Sequence, residues 1–491
     1  MYPGMEAVTD RANGKSFSSI PPKIMKNVKR ESILSVRLIT AMSVAVVWAS
    51  AAEAASNWPQ WRGPNANGIV EHGNPPVEWS ETKNIQWKVA VPGKGHATPI
   101  IWENKIFLLT VTSAELPAAN AQVQGQLQRR PGADGAGGQG RGEGRRSRRG
   151  RGGRGGGGGA PTTEHTFTTL CLDRATGNKL WETVGRKEVP HQGLQRTNTY
   201  GSGSPTTDGK HLYVSFGSHG LYCYDLNGKL VWETDLGKVN VTFGEASSPT
   251  LHGDTLIVVQ DNNGDSFIYA FDKHTGKQLW KKARDEGSGW TTPYVMERDG
   301  KTQVLVSGSK AVRSYDIKTG EVIWQCSGLG SNPVPMIVAD DENIYAMSGH
   351  RQPLGMAVRM GGEGDLSDSD AVLWTTTRGT PYVPSPLLYD GLLFYCQRTD
   401  AILTCVNAKS GKAYFEQERL TGVSGVYASP VGVDDRIYLP GQNGATAVFK
   451  KSQKLEVLAV NKLEDEFDAS PAIIGDQLFL RGHANLYCIA E

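Results

Sequence analysis

No two of the six cysteines in this 491-residue chain are adjacent, and none stands in a C-x-x-C-H arrangement, which excludes covalently attached c-type haem. A phosphate-binding glycine loop, an H-E-x-x-H pair and a nucleophile motif are also missing, so the common signatures of nucleotide, zinc-protease and serine-hydrolase chemistry do not apply. Sustained apolar patterning at the 3.6-residue helical period is scarce. What is plentiful is glycine (59 residues) and short apolar runs separated by Gly, Asn and Asp, the pattern of an all-β protein.

The longest weakly polar run, residues 38–48, follows Lys26, Lys29, Arg30 and Arg37 and precedes Ala52-Glu53-Ala54. A basic segment, a short apolar core and an A-x-A site compose a secretory signal peptide. The run is too short for a retained transmembrane anchor, and no cysteine follows it to carry a lipid. The expectation is a signal peptide over 25–54, cleavage near Ala54, an upstream extension over 1–24, and a monomeric mature protein in the periplasm or cell envelope. The formal charge of +2 is misleading. Residues 120–160 hold nine Arg against Asp134 and Glu143, so the rest of the mature chain is acidic.

One phrase recurs: L-D-R-A-T-G-N-K-L-W at 172–181, then variants ending in Trp232, Trp280, Trp324 and Phe415. Each belongs to a longer unit opened by a small residue and proline, at Pro99, Pro205, Pro249, Pro293, Pro333, Pro386, Pro430 and Pro471, mostly 40–53 residues apart. Within each unit two apolar runs flank a turn such as Asp208-Gly209 or Asp390-Gly391. A third run then ends in D-x-x-T-G, and a fourth carries the aromatic. Four strands repeating at this period predict an eight-bladed β-propeller of four-stranded antiparallel blades over 55–491. The aspartate and glycine turn the third strand into the fourth. The aromatics, with Trp374 in the fifth blade, wedge the seams between blades; the seventh blade has none. The last unit has three strands, so an N-terminal strand containing Trp87 is expected to complete it and close the ring.

The 106-residue gap after Pro99 holds a Gly/Arg-rich insertion over 117–163 within blade one. Its composition predicts disorder and a solvated spacer, with an anionic polysaccharide or lipid surface as the alternative ligand and no nucleic acid. Cys171, Cys223, Cys405 and Cys488 share one slot in the third strand, where other blades place Ala270, Ser314 and Ala357, which predicts packing. Cys396 and Cys405 are expected to face each other across a hairpin, as a strained disulfide or as two thiols. The stretch D-N-N-G-D at 261–265 lacks the glutamate of a calcium loop and reads as a turn.

Residues just before each inner strand should rim the central channel. Three positions ahead of each proline stand His96, Ser202, Ala246, Trp290, Gly330, Val383, Tyr427 and Asp468. Glu245 and Tyr382 lie one position earlier, and Arg196 and Tyr200 belong to the same loops. The mixture of acid, imidazole and aromatic groups fits an asymmetric ligand-binding mouth, with solvated loops free to vary as the alternative; His96, Glu245 and Asp468 could bind a metal together, and no metal or catalytic residue is assigned.

The x-S-P and D-x-x-T-G-x-x-x-W units resemble the pyrroloquinoline quinone (PQQ)-type propeller repeat, and N-W-P-Q-W-R-G-P-N-A-N-G-I-V at 57–70 resembles the opening of exported BamB-like propellers. The BamB-like branch implies a binding or scaffold protein without cofactor, recognising an envelope protein or polysaccharide. The quinoprotein dehydrogenase branch implies PQQ, calcium and oxidation of alcohols or sugars. In that alternative Trp290 would floor the quinone, Glu245 would ligate calcium and Asp468 would act as base. The adjacent cysteine pair usual in that branch is absent.

Overall fold

The computed structural model describes residues 57–114 and 158–491. The expected signal peptide, the expected upstream extension and the insertion up to residue 157 lie outside them. Among the described residues there are eight sheets, antiparallel apart from one short parallel edge strand on each of two of them. In blade three the strands Thr250–His252, Thr255–Gln260, Ser266–Asp272 and Gln278–Arg284 follow in order from inside to outside. The other complete blades repeat this meander. Blade eight has three strands of its own, Ala472–Ile474, Gln477–Arg481 and Asn485–Ile489. Ile85–Ala90 adds antiparallel to the last of these, with Trp87 opposite Cys488, and closes the ring.

The repeated phrase has a physical explanation in the seams. Trp232, on the outer strand of blade two, donates its indole N–H to the carbonyl of Lys273 (2.9 Å), the residue after the turn aspartate of blade three. Trp87, Trp181, Trp280 and Trp374 donate to the matching carbonyls of Arg174, Leu226, Ile317 and Ala408. The turn glycine is the floor of this contact. A Cβ on Gly276, which has φ +69°, would stand 2.6 Å from the Trp232 ring. Backbone sign and indole contact therefore both demand glycine there. Trp324 departs from the pattern. Blade five has a longer third connection, whose Gly364–Asp365 pairs parallel to the outer strand of blade four, and the buried Trp324 indole turns to Gln303 (3.3 Å).

The small slot on the third strand exists because it faces that tryptophan: Cys171 pairs with Trp181, Cys223 with Trp232 and Ala270 with Trp280. All six cysteines are free and buried. The expected Cys396–Cys405 opposition fails, since the register sets Cys405 against Phe394 and Cys396 against Leu403. At 261–265 a turn forms as expected, with Asn262 Oδ1 accepting from Gly264 N (2.7 Å).

The residue before the proline builds a belt around the channel. Thr98 N donates to Ser204 Oγ (3.0 Å), Ser204 N to Ser248 Oγ (2.9 Å) and Ser248 N to Thr292 Oγ1 (3.1 Å). Across blades five to eight, Met336, Ser385 and Ser429 donate to Ser385, Ser429 and Ser470. Each link satisfies a buried backbone donor with a hydroxyl of the next blade.

Residues 57–70 cross one end of the channel. Trp58 bridges to Ile101 of blade one, Pro59 accepts from Thr207 of blade two, and Ile69–Val70 adds parallel to the inner strand of blade seven. Arg62, 1% exposed, donates to the Pro386 carbonyl of blade six (2.8 Å), and burial pushes its guanidinium down to about 9.

Candidate functional site at the channel mouth

At the other end of the channel, connections between blades meet the turns between second and third strands. A cavity of about 130 Å³ opens there. Seven of the eight positions three residues ahead of the prolines line it: His96, Ser202, Ala246, Trp290, Val383, Tyr427 and Asp468. The exception is Gly330, whose place is taken by Val334. Blade five does not set its register by Pro333: Val338 pairs with Tyr345 as Ile100 pairs with Phe107 in blade one, so Met336 occupies the position of Thr98.

The polar centre of the wall is Asp468. Its Oδ1 accepts from Gln442 Nε2 (2.7 Å) and its Oδ2 from His483 Nε2 (2.7 Å), while His96 Nε2 lies 3.4 Å from the same Oδ2. The two imidazoles stack with centroids 5.0 Å apart. Burial pushes His96 down to about 4, so its ring is neutral at neutral pH. His483, more exposed, is raised above the ordinary histidine value by its hydrogen bond to Asp468. Aromatic surface completes the cavity: Trp61 from the segment crossing the channel, Tyr427, and Trp290, which donates its indole N–H to the Gly244 carbonyl.

The other expected site residues lie elsewhere. Glu245 faces the seam between blades two and three, where its carboxylate accepts from Ser218 N (2.9 Å) and Ser218 Oγ (2.6 Å). It therefore does not join His96 and Asp468; His483 does. Tyr200 packs against His219 and donates its hydroxyl to the Gln192 carbonyl (2.6 Å), so the phenol is structural, and burial raises it to about 12. Tyr382 packs on His350 with centroids 4.9 Å apart, and Arg196 is exposed; neither lines the cavity. A sequence signal does mark His483. R-G-H at 481–483, S-G-H at 348–350 and G-S-H at 217–219 all put histidine in a turn between second and third strands.

Burial raises the Glu245 carboxyl above its ordinary value. A carboxyl with a raised folded-state pKa gives stability that is full below its unfolded value and is lost as pH rises through the folded value. Glu245→Gln should therefore gain on wild type in melting temperature as pH rises from about 4.3, the ordinary glutamate value, toward neutral. Parallel melting curves for the two proteins across that window would show that Ser218 fully offsets the burial.

The family model of outer membrane protein assembly factor BamB matches residues 167–354. Outer membrane protein assembly factor BamB of Shewanella oneidensis is 23% identical over 297 residues, which is 56% of this chain and 65% of that protein, so the chain spans less than two thirds of this relative's length. A europium-containing methanol dehydrogenase superposes with a TM-score of 0.57 at 9% identity, covering 89% of this chain and 98% of its own. Quinohemoprotein alcohol dehydrogenase from Comamonas testosteroni gives 0.58 at 10% identity, covering 89% and 80%. At such identities the dehydrogenases share the fold alone. Repeat, register and family match agree: the chain is an eight-bladed propeller whose repeats are similar to those of the BamB type.

Proposed function

We propose that this chain is an exported, non-enzymatic binding propeller that recognises a protein of the cell envelope through its channel mouth. The observation carrying this reading is the size and chemistry of the mouth. About 130 Å³, walled by Trp290, Tyr427 and Trp61 around one carboxylate, is less than half the lower range of small-molecule pockets, but suits one inserted side chain of a partner. Access is from one face, because residues 57–70 cross the other end.

The calcium–quinone group does not fit the residues present. Calcium takes six to eight oxygen ligands. The mouth supplies the single carboxylate of Asp468, held by Gln442 and His483, while Glu245 is committed to Ser218 in a seam. The similarity to BamB, an assembly factor by its name, supports a partner-binding role and an envelope location.

A photo-crosslinking residue in place of Tyr427, tested in living cells beside the same residue at the exposed outer-strand Val184, is expected to capture a discrete partner from the first position only. Equal capture at both positions would refute recognition at the mouth. Dye-linked alcohol or sugar oxidation by purified protein with PQQ and Ca²⁺ would refute the non-enzymatic reading.

A further inference from the structure

We propose that His96, Asp468 and His483 form a binding site for a divalent transition-metal ion of the zinc class. This inference does not rest on the partner-binding reading. Ring closure brings His96, in the connection into blade one, to Asp468 in the connection into blade eight and His483 in a turn of blade eight. Their ligand atoms all lie within 4.8 Å of one another. Tetrahedral zinc with bonds of about 2.0–2.1 Å holds its ligands roughly 3.3 Å apart. The His96 Nε2 to Asp468 Oδ2 distance is 3.4 Å, and the His483 contact of 2.7 Å needs to open only slightly.

The donor set selects the ion. Two imidazoles and one carboxylate suit zinc, copper or nickel and are a poor set for calcium or magnesium. Surrounding groups hold these donors as a metal site requires. Gln442 ties up Asp468 Oδ1 and leaves Oδ2 toward both rings, and Glu466 Oε2 lies 3.5 Å from His483 Nδ1, directing Nε2 inward. A carboxylate behind a histidine is the usual outer support of a metal-binding imidazole. The local charge also admits a cation: Asp465, Glu466 and Asp468 act on His483, against Arg481 and Lys94 acting on His96. His96 and Asp468 line the cavity, so the remaining coordination positions face it.

The test uses the purified full chain, stripped with chelator and titrated calorimetrically with ZnCl₂, then with CoCl₂ followed by visible absorbance. One Zn²⁺ per chain is expected, with a cobalt d–d band displaced by zinc, and no uptake of Ca²⁺ at the same site. Asp468→Asn and His483→Gln should abolish the band. Glu466→Ala, at a side chain 63% exposed, should weaken zinc about tenfold while leaving the fold intact. His483 is itself partly exposed, so that variant decides the matter even if Asp468→Asn fails to fold. Absence of saturable one-to-one binding would overturn the proposal, as would affinity unchanged in folded His483→Gln. A hydrogen-bonded Gln442–Asp468–His483 cluster without metal affinity would then be the whole role of these residues.

Discussion

Arg284→Met is expected to destabilise the protein by about 3–5 kcal/mol, because it strands a buried carboxylate. Both partners of this ion pair are inaccessible: the Arg284 side chain is 0% and that of Asp261 1% exposed. The pairing is two-pronged, Nε to Oδ1 at 2.7 Å and Nη2 to Oδ2 at 3.0 Å, and Nη1 reaches the hydroxyl of Tyr315 in blade four (2.5 Å). Next to it, Glu286 accepts from Ser309, Lys310 N and Arg313, so buried charge joins the Trp280 indole in closing the seam between blades three and four. The pair's own net contribution is small, since desolvation offsets most of its Coulombic attraction. A double variant, Asp261→Asn with Arg284→Met, should therefore recover much of the loss. Denaturant melts of the two single variants and the double variant measure this; strictly additive losses would refute mutual compensation.

How far the molecule was legible depends on how often the chain repeats a constraint. Blade number, turn positions and the closing strand could be read because seven of the eight proline-anchored units restate the same register. The lining of the cavity is legible through the same offset, which places His96, Trp290, Tyr427 and Asp468 together. Reading one residue further back failed for Glu245 and Tyr382 alike, for one reason. Successive residues of an extended connection point to opposite sides, so their neighbours Ala246 and Val383 face the cavity while they do not. Gly330 failed because blade five, with Ile337 where others have proline, takes its register from Met336. His483 was hidden because pairing it with His96 joins the two ends of the propeller, a contact that sequence distance does not suggest. The sequence around Asp261 marks only a turn; its buried partner Arg284 lies 23 residues away and no local pattern announces the pair.

Trp79→Ala is expected to cost about 3–5 kcal/mol, as much as Trp232→Ala, although Trp79 lies outside every repeat unit. In each blade with an outer-strand tryptophan, the second-strand residue opposite the start of the inner strand lies in the same layer. Phe107 meets Trp181 at 6.0 Å, Tyr213 meets Trp232 at 6.2 Å and Phe479 meets Trp87 at 6.0 Å. Blade seven has Tyr438 at this position but no aromatic on its outer strand Val457–Lys462. Trp79 fills the gap, stacking on Tyr438 at 6.3 Å with 4% exposure. Asn461 of that outer strand holds it there, accepting from Trp79 N (2.9 Å) and donating to the Val77 carbonyl (2.9 Å). The slot on the third strand, small elsewhere, is Val448 in this blade, as expected where no indole presses on it from the outer strand. The N-terminal segment thus supplies blade seven with a wedge and blade eight with a strand, so the two interactions should fail together. Trp79→Ala should expose the neighbouring Ile85–Ala90 strand to faster amide hydrogen exchange, whereas Trp232→Ala, remote from closure, should leave that strand's exchange near wild type. A Trp79→Ala protein that melts within about 1 kcal/mol of wild type would mean that this stretch only traverses the surface of blade seven.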